Sequence, residues 1–328
     1  MLPWELHQYQ LSQLTPKLRY NGELPFGQWQ QEAREKLRAL LGMDTFTLCD
    51  PAFEAQPIED MGSYTRMRFS FRSEEHYRVP CYWLEPKEIT HPGVMICLQG
   101  HSTGMHISLG DVKFERDSTD GDRGFALQAV ERGMRAIVLE QRNFGEMGSR
   151  PDGSPDCYMP AMTALLLGRT VIAERVWDVV RVIDVAIDHL IGDTPAEFYC
   201  MGNSGGGTAT TYAACLEPRI AKAMPSCSLC SYDGSIAPMH HCACNYVPGI
   251  RRWFDMGDLA GLIAPRPLTV VAGAQDRIFP EQPTRETFAL IQSYYAAAGA
   301  PDNCALYMGA EGHRFYAEAW DQFIMLNA

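Results

Sequence analysis

From residue 93 onward, short apolar runs alternate with longer segments of helical spacing. The runs cover 94–98, 136–139, 198–201, 220–225, 268–272 and 305–308. Apart from Lys222 in 220–225, each is essentially apolar at consecutive rather than alternate positions, which predicts parallel strands covered on both faces. Between or after them, 123–132, 171–190, 206–216, 284–298 and 316–323 carry the helical period. Strand–helix alternation of this kind predicts an α/β fold, a mostly parallel twisted sheet with helices on both faces. The upstream part reads differently. Residues 28–42 have helical spacing and stop at Gly42, a candidate C-cap. From Tyr64 to Trp83 the pattern alternates, with Met67, Phe69 and Phe71 opposed to Arg66, Arg68 and Arg72. That predicts a half-buried antiparallel hairpin turning at 73–76.

Two segments, 144–168 and 231–262, fit neither rhythm. Both follow strands, so they are expected at the sheet end where open α/β folds bind ligands. The expected organisation is a single domain over 1–328, with an N-terminal helical extension at 1–60 and a cap-like insertion at 231–262.

Bulk properties narrow the function. The chain has 328 residues, 46% of them hydrophobic, which suffices for a core without covalent staples. Its formal net charge of −12 argues against nucleic acid or an anionic membrane surface as partner. No run approaches the roughly 18 apolar residues of a membrane span. The first residues lack a basic stretch followed by an apolar one. The eleven cysteines are an odd number, and several lie inside apolar strands. A reduced, cytoplasmic protein is expected; a homo-oligomer is left open.

The sharpest motif is Gly202-Asn203-Ser204-Gly205-Gly206, running from an apolar strand into a helix. Here G-x-S-x-G in strand–turn–helix context marks a nucleophile elbow. Bulk two residues either side of such a serine would block the tight turn, and the helix N-terminus favours developing negative charge. A phosphate-binding loop is the rival, but neither G-x-G-x-x-G nor a Walker lysine is present.

In a hydrolase of this kind the acid and the histidine follow the serine in that order. His240, His241 and His313 are the histidines after Ser204. His313 follows the last predicted strand and is the candidate general base. Asp276 closes the strand before it, where a buried carboxylate would orient the imidazole. Glu281 and Asp302 do not directly end a strand. The loop Gln99-Gly100-His101-Ser102 follows an early strand. It should supply an oxyanion N–H, that of His101, alongside the N–H of Gly205. The His101 ring is expected to pack over its own loop.

With these residues in place the chain resembles the bacterial acetyl xylan esterase-like, dienelactone-hydrolase-related branch of the α/β hydrolases. The resemblance rests on Leu98-Gln99-Gly100-His101, the Ser204 elbow, and Ile263-Ala264-Pro265-Arg266-Pro267-Leu268 with Asp276. Glu140-Gln141-Arg142-Asn143-Phe144-Gly145 is similar to the D-x-R-G-x-G turn of these relatives, with Asn143 where many have Gly. Gln99 stands where many have His, and Ser204 replaces the cysteine of dienelactone hydrolases proper. The resemblance implies hydrolysis of a small carboxylic ester, such as an acetylated sugar, through an acyl-enzyme. An amidase or peptidase on the same residues, or a non-catalytic binding protein, are the alternatives.

Gln99, Asn203, His240, His241 and Trp253 are the candidate substrate contacts, with Phe254 a second aromatic wall. Cys227, Cys230, Cys242 and Cys244 with the His240–His241 pair raise the question of zinc. The C-x-C spacing is tighter than a usual zinc knuckle. Small buried thiols at the base of the cap are therefore expected, with no metal and no other cofactor.

Overall fold

The computed structural model describes residues 1–192 and 196–326. Its centre is the predicted run of strands: β5 (Gly93–Leu98), β6 (Arg135–Leu139), β7 (Glu197–Asn203), β8 (Ile220–Ser226) and β9 (Leu268–Gly273), which are buried, and the edge strand β10 (Cys304–Gly309), which is only half-buried. They lie in the order β6-β5-β7-β8-β9-β10, all parallel. Beyond β6 the sheet continues antiparallel through the hairpin of β4 (Tyr77–Pro86) and β3 (Tyr64–Glu74). Two short strands, β1 (Glu54–Ala55) and β2 (Glu59–Asp60), pair with β3.

The hairpin alternation has the expected consequence. Phe69 and Phe71 are buried, in register with Cys81 and Val79 on β4. On the other side Arg66 and Arg68 pair with Glu59 and Glu146.

Two apolar layers cover the sheet. One face carries α2 (Phe26–Leu41), α5 (Val171–His189), α6 (Gly205–Leu216), α7 (Met256–Gly261) and α8 (Glu281–Ala297). The other carries α3 (Phe125–Glu131) and α9 (Ala319–Met325), built on Phe125, Phe315 and Trp320. Along α5, Val176, Val179, Val182 and Ile183 are fully buried, each contributing about 1.5–3 kcal/mol of burial. Thr170 caps this helix by accepting from the Ala173 N–H.

The sequence leaves three helices unannounced, α1 (Pro3–Ser12), α7 within 231–262, and α4 (Tyr158–Leu166). The last of these lies within 144–168, read from sequence as irregular. Its Ala161 and Ala164 pack with Phe144, Cys157, Val171 and Cys244 in a small satellite core. The 231–262 segment buries Tyr232, Ile236, Val247 and Ile250 against the α5–α6 layer. Among the described residues no helix is long and apolar enough to cross a membrane.

Candidate active site

The strand-to-helix turn after β7 sets the site. Ser204 has φ 55° and ψ −120°, a conformation that costs a non-glycine residue about 1–3 kcal/mol. Its neighbours show why the turn needs glycine. A Cβ on Gly202 would sit 2.6 Å from the Leu98 carbonyl, and one on Gly206 would overlap that same carbonyl. The Ser204 N–H is anchored on Ser226 O at 2.8 Å, tying the elbow to β8. The first N–H groups of α6 have no partner within their own helix and point out of its N-terminus beside the hydroxyl.

At the ends of β9 and β10, Asp276 and His313 come together. His313 Nδ1 lies 2.7 Å from Asp276 Oδ2. The other carboxylate oxygen accepts from the N–H groups of Ile278 (2.7 Å) and Phe279 (3.1 Å). Burial opposes ionisation of Asp276. The His313 contact and the two N–H groups outweigh it and hold the carboxyl below its ordinary value. Phe279 stacks on the His313 ring with centroids 5.9 Å apart. Cys227 lies beside the pair, its thiol donating to Arg314 O at 3.1 Å.

Ser204 and His313 line one cavity of about 750 Å³, together with Gly205, His101, His240 and His241. Tyr158 and Met162 of α4, Arg150, Asp156, Ile278 and Phe279 complete much of its wall. Among the described residues no hydrogen bond joins the Ser204 hydroxyl to His313, an open arrangement common in hydrolases before substrate binds. The His101 N–H has no acceptor among the described residues. Its ring is more than packing. It meets Phe144 edge-on at 4.9 Å and places Nε2 3.2 Å from Cys244 Sγ. His241 is held by Ser235 Oγ at 3.2 Å, and burial together with the His101, His240 and His313 rings disfavours its charged form.

Three expected substrate contacts lie elsewhere. Gln99 is buried behind its loop, bonded to Ser108 Oγ (2.8 Å) and Arg123 O (2.9 Å). Asn203 turns its Oδ1 toward the Ser226 hydroxyl at 2.9 Å. Both side chains are engaged in internal hydrogen bonds, and neither lines the cavity. Trp253 packs on the opposite side, with the Lys36 ammonium 3.9 Å over its ring, and Phe254 is wholly in the core. The cysteine grouping also changes. Cys227 and Cys230 are separate from Cys242 and Cys244, whose sulfur atoms meet those of Cys157 and the His101 ring instead.

Sequence alone misses Phe279 and Ile278, which shape the histidine's surroundings. It also misses the buried support of the loop after β6. There Arg142 makes a bidentate pair with Asp178 (2.8 Å to each oxygen) and a bond to Glu74 (2.7 Å). Asn143 is left-handed at φ 71°, a conformation asparagine tolerates better than most non-glycine residues. Glu140 is fully buried, accepts from the N–H groups of Met105 and Glu146, and is pushed up to about 8 by burial.

No protein-family model matches the chain. It is 24% identical over 242 residues, 73% of its length and 79% of the other, to YtaP of Bacillus subtilis strain 168, provisionally named a hydrolase. Among solved structures it is similar to a Bacteroides fragilis protein provisionally named an acetyl xylan esterase. The TM-score is 0.79 at 17% identity, over 94% of this chain and 82% of that one. A glucuronoyl esterase from Solibacter usitatus superimposes with a TM-score of 0.67 at 14% identity, over 96% and 98%. The sheet order, the helical layers and these neighbours together make the chain an α/β hydrolase in fold, similar in structure to acetyl xylan esterases and related esterases.

Proposed function

We propose that the protein is a serine esterase that cleaves small carboxylic esters through an acyl-enzyme. The observation that carries this reading is the hydrogen-bonded Asp276–His313 pair opening on the same cavity as Ser204, whose backbone is held at positive φ. In the first step His313 takes the Ser204 proton as Oγ attacks the ester carbonyl. Asp276, held ionised, fixes the imidazole tautomer with the proton on Nδ1 and stabilises the imidazolium that forms. The N–H groups of Gly205 and His101 receive the oxyanion. His313 then protonates the departing alcohol, and a water activated by the same ring hydrolyses the acyl-enzyme.

The cavity wall bears on the substrate. Arg150, Asp156, His240 and His241 supply polar groups to a wall that also carries Tyr158, Met162 and Ile278. A short acyl group on a polar, sugar-like alcohol suits that mixed lining, and the esterase names of the solved neighbours agree with it. The 231–262 segment serves as the cap that contributes His240 and His241.

The test is hydrolysis of p-nitrophenyl acetate and propionate by wild type and by Ser204→Ala. Wild type should be active, and the alanine variant should lose at least three orders of magnitude in kcat. Equal rates in the two proteins would refute the reading.

A further inference from the structure

Four side chains from three separate stretches converge against the cavity wall. His101 lies in the loop after β5, Cys157 directly precedes α4, and Cys242 and Cys244 lie in the loop after β8. The ring nitrogen and the three sulfur atoms all lie within 4.8 Å of one another. Cys244 Sγ is 3.2 Å from His101 Nε2 and 3.3 Å from Cys242 Sγ. No disulfide joins them, and every cysteine of the chain is free.

The separations match a tetrahedral metal site. Metal–sulfur bonds of about 2.3 Å and metal–nitrogen bonds of about 2.0–2.1 Å put neighbouring ligand atoms roughly 3.5–3.8 Å apart. The contacts at 3.2 and 3.3 Å fall a few tenths short of that spacing, and the ceiling of 4.8 Å lies beyond it. Small side-chain adjustments would seat an ion among all four.

Arg175 supplies a second, independent indication. It is wholly buried in α5 and aims Nη1 at Cys244 Sγ (3.4 Å) and Nη2 at Cys157 Sγ (3.5 Å). Its remaining contacts are with Arg142 O and the face of Phe144. Among the described residues it has no carboxylate partner. An uncompensated buried guanidinium is expensive. Three thiolates and a neutral imidazole around a divalent cation leave one net negative charge, which this guanidinium cancels.

We propose that His101, Cys157, Cys242 and Cys244 bind one zinc ion, with Arg175 as the charge partner of the thiolates. Binding releases the three thiol protons and places the ion on His101 Nε2. Magnesium and calcium require oxygen ligands, whereas three sulfurs and one imidazole suit zinc. Four protein ligands leave no open position, so the ion is structural. It ties three loops together at one edge of the cavity. The inference is independent of the esterase reading.

The full-length chain, purified under reducing conditions without metal-affinity chromatography, should contain about one zinc per chain by elemental mass spectrometry. Cys157→Ser and Cys242→Ser should each lose it, whereas Cys304→Ser, outside the cluster, should retain it. Because serine variants can fail to fold, the wild type is also loaded with cobalt(II). It should then show thiolate-to-cobalt charge transfer and the visible bands of a tetrahedral site. Wild type that takes up neither zinc nor cobalt after reduction would overturn the proposal, as would a disulfide between Cys242 and Cys244 in the freshly isolated protein. Loss of Ser204-dependent hydrolysis in zinc-loaded protein would count against the esterase reading alone.

Discussion

Asp276 reaches His313 with one carboxylate oxygen, 2.7 Å from Nδ1, and uses the other to collect two N–H groups from its own turn. The carboxylate is thereby fixed before the histidine is considered, and its side chain has no exposure to water. Orientation of the imidazole is inherited from the β9 turn.

Asp276→Asn tests that inheritance. The amide keeps the shape of the side chain but removes its charge, so the imidazolium loses its counter-charge and the favoured tautomer changes. We expect kcat on p-nitrophenyl acetate to fall about 10³- to 10⁴-fold, with KM little altered. Steady-state kinetics on the purified variant will show this.

Stability should also depend on Asp276. Its folded-state pKa is depressed, so the unfolded chain binds its proton more readily. The contribution is present above the ordinary carboxylate value of 3.8 and is lost as pH falls through the lower folded value. Urea unfolding of wild type and Asp276→Asn should therefore differ most near neutrality and converge in acid.

Glu140 has the opposite sign. Burial raises its pKa from 4.5 to about 8, so between those values the unfolded chain releases a proton that the folded chain keeps. Wild-type stability should accordingly lose ground from pH 4.5 to about 8 through this group. The Tm difference between Glu140→Gln and wild type should shift in the variant's favour over the same window. Thermal scans at pH 5 and 8 measure it; a difference that does not change with pH would contradict the assignment.

The turn that follows Glu140 rests on Arg142. Arg142→Met would strand the fully buried Asp178 without its bidentate partner and would leave Glu74 with Arg169 alone. Breaking a buried pair by removing one member costs about 3–5 kcal/mol. Equilibrium unfolding in urea should reveal a loss of that size.

The legibility of this protein in its sequence follows burial. Five of the six parallel strands stand out because both their faces are covered, with Lys222 the one charged side chain inside their apolar runs; β10, at the sheet edge, is only half-buried. Ser204 is readable because its strained turn admits only glycine at 202 and 206. Asp276 and His313 are readable because the fold orders them after the serine, each past the end of a strand. Helix α4 is hidden because Tyr158 and Met159 are 65% and 64% exposed, which erases the apolar period. Gln99 and Asn203 are misread because neighbours of a site residue in sequence need not point the same way. Trp253 has its nearest cation on α2, far along the chain. The Cys242-x-Cys244 pair is visible, but Cys157 and His101 join it only through the arrangement of three loops.

The central claim is that Ser204 carries the acyl group. Brief reaction with a fluorophosphonate or a slowly deacylating ester, followed by intact-mass and peptide mass spectrometry, tests it directly. One adduct per chain is expected, on Ser204 and absent from Ser204→Ala. Undiminished labelling of the alanine variant, or an unmodified Ser204 in protein inactivated by the reagent, would contradict the account.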